Sequence, residues 1–116
     1  MTKRDTRTER FDKLVRDRIP EIIEENDETP IVSTAAGEEY TERLVEKLQE
    51  EVAEYAESRE VEELADVLEV VHALRAEHGV SAEQLAEMRE EKAAERGRFA
   101  GGIVLDAVES PADTDW

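Results

Sequence analysis

The sequence contains no cysteine, so neither a disulfide framework nor a thiolate metal site is possible. Aromatic residues make up only 4% of its 116 residues, and no apolar run approaches the length needed to cross a membrane. The N-terminal stretch MTKRDTRTER is polar and does not resemble a signal peptide. We therefore expect a cytoplasmic protein with no membrane partner and one modest core.

Basic residues are also scarce, with 15 Lys and Arg against 32 Asp and Glu, which gives a formal net charge of -17. This balance argues against nucleic acid as a partner, because phosphate backbones bind basic surfaces. The only lysines are Lys3, Lys13, Lys47 and Lys92. An acidic, lysine-poor composition is typical of halophilic proteins, in which high ionic strength screens self-repulsion.

Apolar residues recur at helical spacing and predict an all-α protein. A short helix is expected to begin at Asp17 as N-cap, with Pro20 in its first turn, and to stop at Asn26. Two long helices are predicted over 38–58 and 60–78, and a fourth from the cap Ser81 to about Arg96. The predicted apolar stripes are Leu44, Leu48, Val52 and Tyr55 on the first long helix, and Leu64, Val67, Leu68, Val71 and Leu74 on the second.

Two short segments, 29–35 and 101–109, are rich in apolar or β-branched residues and are predicted to be extended, with room for a small β-ribbon. The expected organisation is a flexible N-terminus over 1–9, one domain over 10–109 and a flexible tail over 110–116.

Four carboxylates border the predicted stripes of the two long helices: Glu51, Glu54, Glu63 and Asp66. If the helices form an antiparallel hairpin, these groups converge at its edge. Converging carboxylates repel unless a cation neutralises them, and oxygen ligands without His or Cys favour Mg²⁺, or Mn²⁺ in its place. The alternative interpretation is that they are rim charges of an acidic surface.

Basic side chains cluster at two places that could face those carboxylates. Lys13, Arg16 and Arg18 surround the start of the first helix, where the macrodipole favours acidic residues instead. Lys92 and Arg96 continue the column of Met88 on the last helix, although cations near a helix C-terminus also complement its dipole. Metal-binding carboxylates opposite such cations, with free N–H groups at the helix terminus, are what a nucleoside polyphosphate site requires.

The order of four motifs resembles the MazG-like, all-α NTP pyrophosphatase superfamily, and within it the phosphoribosyl-ATP pyrophosphohydrolase-like group of house-cleaning enzymes. These motifs are KLVRDRIPEII (13–23), KLQEEVAEY (47–55), EELADVLEVVHAL (62–74) and EKAAERGRF (91–99), and the resemblance covers roughly residues 10 to 108. Only residues 55–61 separate the first acidic motif from the second, fewer than in many relatives.

The resemblance implies an antiparallel helix pair completed into a bundle by dimerisation, as a homodimer or higher homo-oligomer. It implies that Glu51, Glu54, Glu63 and Asp66 bind Mg²⁺, through which an activated water attacks the α-phosphorus of a nucleoside triphosphate. The products would be a nucleoside monophosphate and pyrophosphate. The expected substrate is a noncanonical or surplus nucleoside triphosphate, with Lys13, Arg16, Arg18, Lys92 and Arg96 as its binding residues.

Two alternatives remain open at the level of sequence. The chain could be a catalytically silent, dimeric helical module that binds nucleotides or a protein, which the short separation between the acidic motifs leaves room for. It could also be a phosphoribosyl-ATP pyrophosphohydrolase itself, although resemblance to the group does not establish that substrate. No motif reports which base is preferred.

Overall fold

The computed structural model describes residues 6–112, and all regular secondary structure in that range is helical. Its helices are α1 (Ile19–Glu25), α2 (Gly37–Ser58), α3 (Val61–Glu77) and α4 (Ala82–Arg96). The predicted all-α class is confirmed. Within the described range, no helix is long and apolar enough to cross a membrane. The chain divides into two compact units, with the boundary after Ala82 at the start of α4.

The small β-ribbon is not formed, because residues 6–112 contain no strand. Segments 29–35 and 101–109 are irregular. Their apolar side chains, such as Ile31 and Ile103, are largely exposed, so neither segment has the packed face that stabilises paired strands. The ends predicted to be flexible are 1–9 and 110–116. Of these, residues 1–5 and 113–116 lie outside the described residues.

A two-residue turn joins α2 to α3. Arg59 ends α2 in the left-handed region (φ 59°), and its N–H donates to the Tyr55 carbonyl at 2.8 Å. Its Nε donates to the Ala56 carbonyl at 2.8 Å, and the Glu60 N–H donates to Ser58 Oγ at 3.1 Å. Because so short a connection reverses the chain, α2 and α3 pack against each other as the antiparallel pair that the sequence predicts.

The predicted stripes are confirmed in part, because six of their nine residues are buried or half-buried: Leu44, Leu48, Tyr55, Val67, Val71 and Leu74. Leu44 and Glu51 are the buried residues of α2, and Val70 is the buried residue of α3. Val52, Leu64 and Leu68 were predicted to lie in the stripes but are about half exposed, at 46–54%. Each of them directly follows a buried or half-buried residue, and together they leave apolar side chains on the outside of the hairpin.

The chain before α1 is fastened to α2. Arg43 Nη1 donates to the Asp12 carbonyl at 2.9 Å, and Arg43 Nη2 contacts Asp12 Oδ1 at 3.0 Å. The N-cap of α1 is Arg18, with no side-chain cap, so the prediction of Asp17 as N-cap is wrong. The N–H of Ile19 donates to the Arg16 carbonyl, which leaves it unavailable for the predicted binding of an anion at this terminus.

Candidate metal centre

Three carboxylates meet where α2 packs on α3. Glu51 comes from α2, and Glu63 and Asp66 come from successive turns of α3. One oxygen from each of the three lies within 4.8 Å of the others. The tight turn brings these groups together, because it sets the register at which an early turn of α3 lies beside a late turn of α2. The predicted convergence of carboxylates is therefore present for these three residues.

Glu51 is the most constrained member of the cluster. Its exposed fraction is only 7%, which makes it a buried acid in the contact face between two helices. Oε1 lies 3.1 Å from Lys47 Nζ. Oε2 is buried and accepts no hydrogen bond from any residue in the described range. An unsatisfied buried acceptor costs about 1–3 kcal/mol, so this oxygen marks a place where a ligand would be stabilising.

The donor set suits a hard divalent cation. All three groups present carboxylate oxygens, which Mg²⁺ and Mn²⁺ prefer, and neither His nor Cys belongs to the cluster. A cation here would satisfy Glu51 Oε2 and neutralise the repulsion among three neighbouring carboxylates. By both tests, the residues present fit a site for a divalent cation, with Glu51, Glu63 and Asp66 as the residues that would hold the ion.

Glu54, the fourth predicted ligand, lies outside this group of three. It is exposed on α2. Its pKa is raised, first by the negative charge of Glu51, and further by desolvation and by the charge of Glu63. Glu54 therefore belongs to the same electrostatic environment without sharing the close arrangement of oxygens.

Two of the predicted phosphate-binding cations lie beside the carboxylates. Arg16 Nη2 contacts Asp66 Oδ1 at 2.7 Å, and Lys13 Nζ contacts Glu50 Oε1 at 2.8 Å. The hydrogen bond from Lys13 lowers the pKa of Glu50 and raises the pKa of Lys13. The unusual placement of cations before α1 thus has a structural explanation, because they pair with carboxylates of α2 and α3.

The other three predicted cations are placed differently. Arg18 pairs with Glu21 of its own helix at 3.1 Å. Lys92 and Arg96 are exposed on α4, which belongs to the second compact unit. Met88, whose column they continue, is 53% exposed, and α4 has no buried residue in the described range. Their role in substrate binding stays a prediction.

Two residues near the cluster were missed by the sequence reasoning. Lys47 and Glu50 connect Glu51 to Lys13, since Lys47 Nζ also lies 3.5 Å from Glu50 Oε2. The available signal was the spacing in KLQEE, which places Lys47 at i, i+3 and i, i+4 from two glutamates on one helical face. That spacing is common on exposed helices, and only the burial of Lys47, at 17% side-chain exposure, distinguishes it.

Comparison with known proteins finds a relative that matches part of the chain, and it finds no matching family. The chain is similar to an uncharacterized protein of Mycolicibacterium smegmatis (strain ATCC 700084 / mc(2)155), with 52% identity over 42 residues. The match covers 36% of this chain and 43% of that protein, so it spans less than half of the relative's length. No protein-family model matches the sequence. No solved structure matches it either.

Proposed function

We propose that this chain is a Mg²⁺-dependent pyrophosphohydrolase of the MazG-like kind, which cleaves a noncanonical or surplus nucleoside triphosphate to the monophosphate and pyrophosphate. The observation that carries the proposal is the buried Glu51, whose unpaired Oε2 belongs to a carboxylate clustered with those of Glu63 and Asp66. The order of the four sequence motifs supports the same assignment.

One group of residues would bind the cation, and another would bind the substrate. Glu51, Glu63 and Asp66 would hold the ion, with Glu54 as a further carboxylate at the exposed edge. The bound ion supplies Lewis acidity and lowers the pKa of a bound water. Lys13 and Arg16 already lie beside the carboxylates, at Glu50 and Asp66, where cations are suited to bind the phosphates of a metal-bound nucleotide.

We further propose that two copies of the chain associate through the outer face of the hairpin. Leu44 and Val70 are the buried apolar residues of the described range, a small core for helices of this length. The outer face carries Val45, Val52, Leu64 and Leu68, all between 43% and 54% exposed. Exposed apolar side chains of this kind favour burial against a second copy of the chain.

The alternative is a catalytically silent helical module. One observation favours it: Lys13, Lys47 and Arg16 already pair with carboxylates in and beside the cluster, as they would in a purely structural ion network. In that case the unpaired Glu51 Oε2 would be a tolerated cost rather than a ligand, and divalent cations would neither bind nor stabilise the protein.

A panel of substrates distinguishes the pyrophosphohydrolase from the catalytically silent module. The purified protein would be incubated in high salt with standard and modified nucleoside triphosphates, and with phosphoribosyl-ATP, each with Mg²⁺ and with EDTA. We expect pyrophosphate release that depends on Mg²⁺ and is abolished by EDTA. If none of the nucleotides releases pyrophosphate, the silent module is the better assignment.

A further inference from the structure

Lys47 is a charged side chain that the proposed chemistry does not use. It projects from α2, and its side chain is only 17% exposed. Its ammonium group lies 3.1 Å from Glu51 Oε1 and 3.5 Å from Glu50 Oε2, so both of its ion pairs are with residues on its own helix. Lysine loses much hydration and rotamer freedom when it is covered in this way, so its position calls for a compensating role.

The pairing of Lys47 divides the two oxygens of Glu51. Oε1 is held by the ammonium group, whereas Oε2 is buried without a hydrogen bond in the part of the chain that the structure describes. This ion pair restricts the orientations that the Glu51 carboxylate can adopt. Glu50 also pairs with Lys13, at 2.8 Å. Lys47 is therefore part of a row of alternating positive and negative side chains that runs from Lys13 to Glu51.

We propose that Lys47 is the positioning residue and internal counter-ion of the cation site. It holds Glu51 Oε1 in the metal-free protein, and it leaves Oε2 as the oxygen available to an arriving cation. This inference rests on the proposed cation site, and it adds a consequence for affinity. Because Lys47 carries positive charge next to a ligand carboxylate, it weakens the binding of a free divalent cation while stabilising the empty site.

The energetic signature differs from that of an ordinary structural salt bridge. A structural pair would stabilise the metal-free and metal-loaded proteins equally, so its loss would leave cation affinity unchanged. An internal counter-ion stabilises the metal-free state more, because a bound cation repels it. By thermodynamic linkage, its loss must then lower the stability of the metal-free protein and tighten cation binding together.

The test uses the full chain and Mn²⁺ alone, with free Mn²⁺ followed by electron paramagnetic resonance and unfolding followed by melting. Experiments in about 1 M KCl, where the Debye length is about 3 Å, suppress the influence of remote charges. Lys47→Met removes the charge and keeps much of the side-chain length. Lys47→Gln also removes the charge but keeps a hydrogen-bond donor, which protects folding, and Lys47→Arg restores the charge. Arg43→Met is the control, a similarly covered cation one turn earlier on α2.

We expect Mn²⁺ to bind roughly tenfold more tightly to Lys47→Met and Lys47→Gln than to the wild type. Their melting temperatures should fall in EDTA and recover most of the difference in Mn²⁺, whereas Lys47→Arg should behave as the wild type. Arg43→Met should lower the melting temperature without changing Mn²⁺ affinity. Unchanged or weaker Mn²⁺ binding in both neutral variants overturns the role of Lys47. If the wild type and all variants fail to bind Mn²⁺, the cation site itself is wrong.

Discussion

Arg16 and Asp66 are 50 positions apart in the chain, yet Arg16 Nη2 lies 2.7 Å from Asp66 Oδ1. The pair joins the segment before α1 to one of the three clustered carboxylates of the hairpin. Both side chains are partly exposed, at 54% and 38%, so the pair contributes little to stability, roughly 0–1 kcal/mol. Its location beside the cluster therefore suggests a role in ligand binding.

Replacing Arg16 should affect substrate binding more than folding. In Arg16→Met we expect the KM for the nucleotide to rise roughly tenfold, or about 1.4 kcal/mol, because a cation that meets the phosphates is lost. The melting temperature should change little. Steady-state pyrophosphate release and melting would be measured side by side, with Arg89→Met as the control, since Arg89 is an exposed arginine of α4. An unchanged KM in Arg16→Met would remove this residue from the substrate site.

Replacing Asp66 by asparagine should reduce catalytic turnover without reducing folding stability. Asp66→Asn keeps the shape of the side chain and removes one of three repelling charges, so the metal-free protein should fold at least as well as the wild type. Turnover should fall at least about 100-fold, because a ligand is lost at the place where charge develops. Glu69→Gln, an exposed residue one turn further along α3, is the matched control and should retain activity. Near wild-type turnover in Asp66→Asn would contradict the mechanism.

Glu54 should destabilise the protein when no cation is present. Its pKa is raised mainly by the charge of Glu51, so its ionised form is opposed in the folded state. A carboxyl group whose folded pKa is raised reduces stability above its unfolded pKa, which is ordinarily 4.5. We expect Glu54→Gln to melt at a higher temperature than the wild type at pH 7 in EDTA, and the difference to disappear below the ordinary glutamate pKa. A lower melting temperature at pH 7 would show that the repulsion is not present.

The proposed association of two copies depends on the outer face of the hairpin. Leu68 is 54% exposed on that face, and a polar side chain in the centre of an apolar interface is costly. We expect the wild type to sediment as a dimer or larger species at micromolar concentration in high salt. Leu68→Asn should weaken self-association at least about tenfold. A wild type that sediments as a monomer would contradict the proposal.

Most helix boundaries could be predicted from sequence because local signals determine them. Predicted ends at 58, 78 and Arg96 agree within one position with the observed α2, α3 and α4. The start of α1 was wrong, because Asp17 has the chemistry of a cap but the chain turns at Arg18 instead. Capping residues show that a helix begins nearby, but they do not determine its first residue.

The candidate site was predicted in outline, and its burial was not. The sequence places Glu51 at the border of the apolar stripe, but the structure buries it and exposes Val52. Periodicity alone cannot distinguish these neighbouring columns, because both satisfy helical spacing. The turn at Arg59 fixes which column faces α3. The structure also covers Lys47, which a helical pattern describes only as a surface lysine.

The most direct test of the central claim follows the oxygen atom of the attacking water. The protein, Mg²⁺ and its preferred nucleoside triphosphate would be incubated in ¹⁸O-labelled water, with Asp66→Asn as the control, and the products analysed by mass spectrometry. Attack at the α-phosphorus predicts one ¹⁸O in the nucleoside monophosphate and none in pyrophosphate, with product formation at least about 100-fold lower in the variant. Label in pyrophosphate, release of a nucleoside diphosphate, or intact triphosphate after prolonged incubation would contradict it.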